Sequence, residues 1–260
     1  MNVRRWPRAA VLAMTALLPG ALKRAVLRSI FGFRIGKRVR IGTAYFDCDR
    51  LEIGDDVRIG HGVVFVRTAS VRIGDHARIG PLNLFRGGDH IDLAAYSELL
   101  RLNVVNAIPE PDCDRKPDST FRLGYGAVIT SSHWIDFTDR VTFGRRSILA
   151  GRRSSVYTHN RRRSAPVDVG NFCYIGSDVK IAPGVSIADC TIVGMGAVVS
   201  SALRTPFTLA VGVPARAARA LTARDAGTLF EKTRADLPDE PTPAIPAASD
   251  QPSEHAVDHV

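Results

Sequence analysis

Aromatic residues, cysteine pairs and long apolar runs are all scarce in this chain, and each scarcity narrows its class. Of 260 residues, 11 are Phe, 5 Tyr and 2 Trp. That suits a narrow core filled by Val and Ile. Cys48, Cys113, Cys173 and Cys190 form no C-x-x-C pair, which argues against a disulfide framework and for a reducing compartment. Cys173, at an inward small position, reads as a buried thiol. The apolar run from Ala9 to Leu18 is far too short to span a membrane. Acidic residues are also short, 26 against 35 Lys and Arg. The excess suits an anionic partner: a coenzyme, a sugar nucleotide, an acidic polymer or a membrane surface. The arginines are scattered and no nucleic-acid motif is present, so nucleic acid is not an expected partner.

What the chain has in quantity is a repeat of six. Val169, Ile175, Ile181, Ile187, Val193 and Val199 recur without a miss. Each is followed by Gly, Ala or Ser, and two places before each stands another small or β-branched residue. No α-helix repeats every six residues, but short strands joined by tight corners do. The small residue after each aliphatic is expected to let the backbone turn sharply. Three hexads then make one coil, and stacked coils bury the aliphatics in columns. Earlier coils begin at Ile35 and Ile41. Ile53, Ile59 and Phe65 recur twenty residues later as Ile73, Ile79 and Phe85, so one corner carries a small loop. Leu123, Ile129 and Ile135 are followed by Phe143, Leu149 and Ser155 on the same spacing.

"THNRRRSAPVDVGNFCYIGSDVKIAPGVSIADCTIVGMGAVVS" (158–200) and "LAVGVPARAAR" (209–219) resemble the hexapeptide-repeat acyltransferases that use acyl-coenzyme A, most closely the O-acetyltransferases of polysaccharide and small-sugar modification. The resemblance implies an all-β fold, a left-handed parallel β-helix with short N- and C-terminal helices. It also implies a homotrimer, an acetyl-CoA or acyl-CoA co-substrate, a carbohydrate acceptor, no metal and a cytoplasmic location. Two other functions on this fold stay open: a zinc hydratase of the γ-carbonic anhydrase type, disfavoured because no H-x4-H pair is present, and a non-catalytic scaffold.

The expected domain is residues 35–216. Residues 1–34 read as a basic amphipathic segment with Leu22, Ala25/Val26, Ser29/Ile30 and Phe33 on one face. That segment either caps the solenoid's open end or rests on an anionic membrane. Periodicity fades at 103–120, a Pro-rich excursion. A helix is expected over 217–236, and a disordered Pro- and acid-rich tail over 237–260.

Acyl transfer to a hydroxyl needs a base, and histidine suits it. His159, in "VYTHN" before a corner loop and "PVDVG", matches the family's general base. His133, in "ITSSHWID", matches an additional "H-x-I-D" feature of one subtype. Both occupy the i−2 phase of their hexads, a corner slot where a small residue is normal. Asp139, twenty residues before His159, is expected one coil below it as its orienting carboxylate. Asn160 is a candidate substrate or oxyanion contact. Gly176, Gly194, Gly196 and Ala197 are candidates to line a pantetheine arm. Arg216, in a "GVPAR" that resembles the family's terminal coenzyme motif, and Arg219 are candidates for the nucleotide phosphates.

Overall fold

A computed structural model describes residues 6–246. The hexad strands stack as a left-handed parallel β-helix of about nine turns. Its first face stacks Ile53, Ile73, Leu93, Leu123, Phe143 and Val169 in register. The second stacks Ile59, Ile79, Leu99, Ile129, Leu149 and Ile175. The third stacks Phe46, Phe65, Phe85, Val105, Ile135 and Val156. All are buried and meet in one core. Val156, not Ser155, completes the last column, because one extra residue enters the corner before it.

The small residues after the aliphatics have a different purpose from the one expected. A Cβ on Gly54 would lie 2.8 Å from the Asp75 nitrogen, and one on Gly144 would lie 2.4 Å from the Gly170 carbonyl oxygen. Coils about 4.8 Å apart leave no room there. The turn itself is made two residues later, in the left-handed region, and mostly by residues other than glycine. Arg38, Asp56, His76, Tyr96, Arg146, Phe172 and Cys190 all have positive φ. Each costs of order 1 kcal/mol, a cost the interlocked ladder offsets.

The ladder pairs each coil with both of its neighbours. The Gly54 N–H donates to the Ile73 carbonyl and that of Gly60 to Ile79, while corner residues donate back, Asp56 to Lys37 and Gly62 to Thr43. On the first coil the carbonyls that face away from the second, such as those of Ile35 and Val39, have no coil to pair with. Helix α1 (Trp6–Leu17) and helix α2 (Gly20–Ser29) cover that end. Lys23 donates to the Gly42 carbonyl, Arg24 to that of Val39, and Arg28 to those of Ile35 and Gly36. This reverses the expected face of α2: Lys23 and Leu27 are buried, while Leu22, Ala25, Ser29 and Ile30 are exposed. Leu12 of α1 joins the core.

Insertions concentrate at the corner between the third and first faces. The two extra residues of the early coils, the excursion and a hairpin all leave there. The excursion is shorter than expected, 107–119, because Val104–Asn106 still forms a rung. The hairpin pairs His159–Asn160 with Arg163–Ser164. It lengthens its coil to 26 residues, from Val141 to Val167.

The C-terminal end also departs from expectation. Ala215–Ala220 is a strand antiparallel to Thr208–Gly212, not the start of a helix. An extended return meets backbone donors and acceptors at a sheet edge, which a helix cannot. A 3-10 turn, Ala223–Asp225, and a short helix, Ala226–Phe230, follow. The described part of the tail from 237 lies against the solenoid: Leu237 is buried, Glu240 pairs with Arg145, and Ile245 packs against the cluster that contains Phe172 and Leu221. Arg234 anchors it by donating to the carbonyls of His76 and Tyr96. Residues 247–260 of the expected tail lie outside the described residues.

Phe65 is fully buried and stacks between Phe46 and Phe85, at 5.5 and 4.4 Å between centroids. Phe65→Ala is expected to lower stability by about 3–5 kcal/mol, read from urea unfolding at fixed protein concentration. The exposed Met195→Ala is expected to stay within about 0.5 kcal/mol of the parent.

Candidate active site

The hairpin at the third-to-first corner carries His159, and the coil beneath supplies its partner. That partner is Asp136, whose Oδ2 accepts from His159 Nδ1 at 2.6 Å. Asp139, the expected partner, is engaged elsewhere. Its carboxylate takes the Arg115 guanidinium and the N–H groups of Arg140 and Asp118. The twenty-residue spacing fails at this corner. Ile135 pairs with Val156, twenty-one residues on, and the chain then leaves the coil into the hairpin. His159 therefore occupies no hexad slot at all, and sequence reasoning missed Asp136. The one available signal was its place in "HWID", the stretch that drew attention to His133.

Asp136 is almost wholly buried, 3% exposed at the side chain. Its Oδ1 accepts from the Thr138 N–H and hydroxyl at 3.0 and 2.6 Å. Its Oδ2 accepts from the Thr158 N–H and hydroxyl at 3.0 and 3.1 Å, as well as from His159. Burial alone pushes this carboxyl up. The bonds from Thr138, His159 and Thr158 outweigh it and hold the group below the ordinary carboxylate range. An ionised carboxylate only accepts, so the proton on Nδ1 is fixed and the Nε2 lone pair is left for chemistry. The imidazole is 24% exposed, and its Nε2 makes no hydrogen bond among the described residues.

His133 is built for a different purpose. It is buried and continues an inner polar column, Asn83, Asn103, His133, Ser154. Asn103 accepts from the His133 N–H, and the Ser154 N–H donates to Nδ1 at 3.2 Å. Nε2 faces the Thr130 hydroxyl at 2.9 Å, and that hydroxyl lies within reach of the carbonyls of Leu149 and Gly151. Both ring nitrogens are occupied within the chain, unlike those of His159.

The coenzyme candidates divide. Ala197 is buried in the core and cannot face a ligand. Arg219 is held by Asp225 through two 2.8 Å bonds, which press the Asp225 carboxyl well below its ordinary range. A Cβ on Gly176 or Gly194 would strike the next coil, whereas Gly196 faces open space. Arg216 is exposed, bonded to its neighbour's carbonyl and to Ser201. Gly176, Gly194 and Gly196 line the corner between the second and third faces. The third face separates them from His159, so one chain does not bring the two sets together. Asn160 is exposed beside His159.

A cavity of about 600 Å³ lies on the His159 corner but nearer the N-terminus. It is walled by Asp47, Arg67, Asp89, Glu110 and Lys116, with Arg115 shared between it and Asp139. No histidine lines it. The four cysteines are free thiols. Burial pushes Cys173 up to about 12, which leaves it unreactive. Among the described residues no three His, Cys, Asp or Glu side chains converge as metal ligands.

No family model matches the chain. Galactoside O-acetyltransferase of Escherichia coli (strain K12) is 30% identical over 115 residues, 43% of this chain and 56% of its own length. The chain thus spans little more than half of that relative. A solved polysialic acid O-acetyltransferase is 17% identical, covering 77% of this chain and 98% of the other at a TM-score of 0.49. A hexapeptide-repeat acetyltransferase of Vibrio cholerae O1 biovar eltor, solved with acetyl coenzyme A, is 19% identical, covering 83% and 86% at 0.36. The likeness is to hexapeptide-repeat O-acetyltransferases, and the fold assignment rests on the coils themselves.

His133 makes the molecule sensitive to acid. Burial lowers its pKa from 6.5 to about 4, so the unfolded chain binds the proton first. Its contribution is whole above pH 6.5 and is lost as pH falls toward 4. Urea unfolding across that window should show about 3 kcal/mol more acid loss in the parent than in His133→Gln. Equal slopes would mean that His133 is protonated in the folded chain.

Proposed function

We propose that the chain transfers an acyl group, most simply acetyl, from an acyl-coenzyme A to a hydroxyl of a carbohydrate acceptor. The observation that carries this is the buried Asp136 fixing His159 with its Nε2 free. In the proposed step Nε2 takes the acceptor's hydroxyl proton while that oxygen attacks the thioester carbonyl. The tetrahedral intermediate collapses with cleavage of the C–S bond. The thiolate leaves and takes the proton back from the imidazolium. Asp136 stays ionised throughout and stabilises the transient cation. Asn160, exposed beside His159, is placed to contact the acceptor or the developing oxyanion. The coenzyme would lie along the Gly176, Gly194 and Gly196 corner, with Arg216 toward its phosphates. A coenzyme A thioester as donor puts the protein in the cytoplasm.

The site is complete only in an oligomer, and we take it to be a homotrimer. Base and coenzyme edge lie on different corners, so they meet when one chain's corner faces the next chain's. The third face between them suits such packing. Its outward residues include Tyr45, Val64, Leu84, Val104 and Trp134, where the first face presents Arg34, Glu52, Arg72, Asp92 and Asp168.

His159→Ala is expected to lower turnover about a hundred- to ten-thousand-fold, read as thiol release from acetyl-CoA with a panel of acceptor sugars. Asp136→Asn should fall into the same range, and Asp139→Asn much less. Full activity in His159→Ala would end the proposal. Asn103→Asp is not a usable control, since it touches the fold of His133.

In sedimentation the protein should run as three copies of the 28.2 kDa chain. Trp134 is 43% exposed, and Trp134→Glu should yield monomers whose turnover drops with the loss of assembly. A parent that is active as a monomer would contradict the shared site.

A further inference from the structure

We infer that the outer surface of the N-terminal cap, with an arginine pocket beside it, docks the protein onto an anionic phospholipid membrane. Charge is the first argument. Residues 1–46 contain ten Lys and Arg and no Asp or Glu. The remainder carries 25 basic and 26 acidic residues, so the chain's whole positive excess resides in this one segment. The backbone caps Lys23, Arg24 and Arg28 account for part of it only.

The apolar surface is the second. Val11, Met14 and Leu17 of α1 are 39%, 70% and 77% exposed, and Leu22 and Ile30 are 51% and 64%. The residues exposed between them on α1 are Ala10 and Ala13. From Ala10 to Leu17 of α1 no polar side chain is exposed, and the polar group beside Val11 and Ile30 is the cationic Arg8. The reversed face of α2 is explained in the same way: its cations turn inward to cap carbonyls, and its apolar residues turn outward. No described helix is long and apolar enough to cross a membrane, so the cap would lie on the surface.

The third is a pocket of about 420 Å³ reached from α2. Arg24, Arg38, Arg40, Arg58, Arg78 and Arg234 line it, against Asp56 and Asp236 as its carboxylates. Asp56 engages Arg38, and Asp236 engages Arg78 and Arg234. Arg40 and Arg58 make no side-chain hydrogen bond or ion pair among the described residues, although Asp56 lies near Arg58, which leaves two cations for a headgroup phosphate. The docking does not depend on His159 transferring an acyl group.

The full chain should sediment with mixed phosphatidylcholine–phosphatidylglycerol vesicles at low salt, and about tenfold or more weaker with phosphatidylcholine alone. Met14→Glu/Leu17→Glu and, separately, Leu22→Glu should weaken binding about tenfold, with circular dichroism unchanged. Arg40→Glu/Arg58→Glu should do the same. Inorganic phosphate should displace no more than chloride of equal ionic strength. Failure to bind the anionic vesicles overturns the inference in favour of a protein partner or none. Undiminished binding by both the Met14/Leu17 and Leu22 variants, or specific displacement by phosphate, overturns it in favour of a soluble-anion site.

Discussion

The hydrogen-bond ladder between coils is the constraint from which the rest of this structure follows. Each interior coil pairs with the coils on both sides, so the two ends of the solenoid are left with backbone groups that have no coil to pair with. Leaving buried backbone groups unpaired costs of order 1–3 kcal/mol each. The N-terminal end answers with three cations on one short helix. The C-terminal end answers with a returning antiparallel strand. The same tight spacing sets the corner chemistry, because not even a methyl has a place between Gly144 and Gly170.

A ladder this regular leaves few places for irregular chain, and here they fall on one corner. The third-to-first corner already holds two extra residues in the early coils. It can release thirteen more at 107–119 and a hairpin at His159 without breaking a column. Thr138 ties the two insertions together, accepting from the Ile108 N–H while its own N–H and hydroxyl donate to Asp136. A buried carboxylate would be costly by several kcal/mol if left bare. Asp136 is tolerable because Thr138, Thr158 and His159 satisfy it, and the structure that satisfies it also orients the imidazole.

The columns of the fold were legible because burial repeats strictly: Val169 to Val199 needs no adjustment from sequence to structure. The corners were legible only where spacing holds. One inserted residue before Val156 and the hairpin after Tyr157 moved the carboxylate partner from Asp139 to Asp136, and hexad counting has no means of sensing either. His133 and His159 look alike in the sequence, each at the same phase of the six-residue count. What separates them is tertiary: the first meets Asn103, Thr130 and Ser154 inside the coil, while the second leaves it. The face of α2 was misread for a related reason. Amphipathic logic sends apolar residues inward, and it does not include the demand of open carbonyls for cationic donors.

The three faces therefore differ in purpose although their inner columns are alike. The first is lined outside with charge pairs such as Arg72–Asp92 and Arg140–Asp168, each worth little to stability but enough to keep that face in water. The second is overlain in its later coils by Phe230, Leu237 and the residues around them, which bury Phe172 and Ile192. Among the described residues the third is left uncovered and largely apolar in its earlier coils, with Arg86, Asn106, Ser155 and Lys180 also facing outward, between the corner that holds Asp136 and His159 and the corner that holds the glycine edge. A prism with one unfinished face cannot bury that face by lengthening, since added coils extend all three equally. It can do so only against another chain, and any such contact necessarily brings the two flanking corners near a neighbour. The same apolar face that asks for assembly is thus the one that would unite the proposed base with the proposed coenzyme edge.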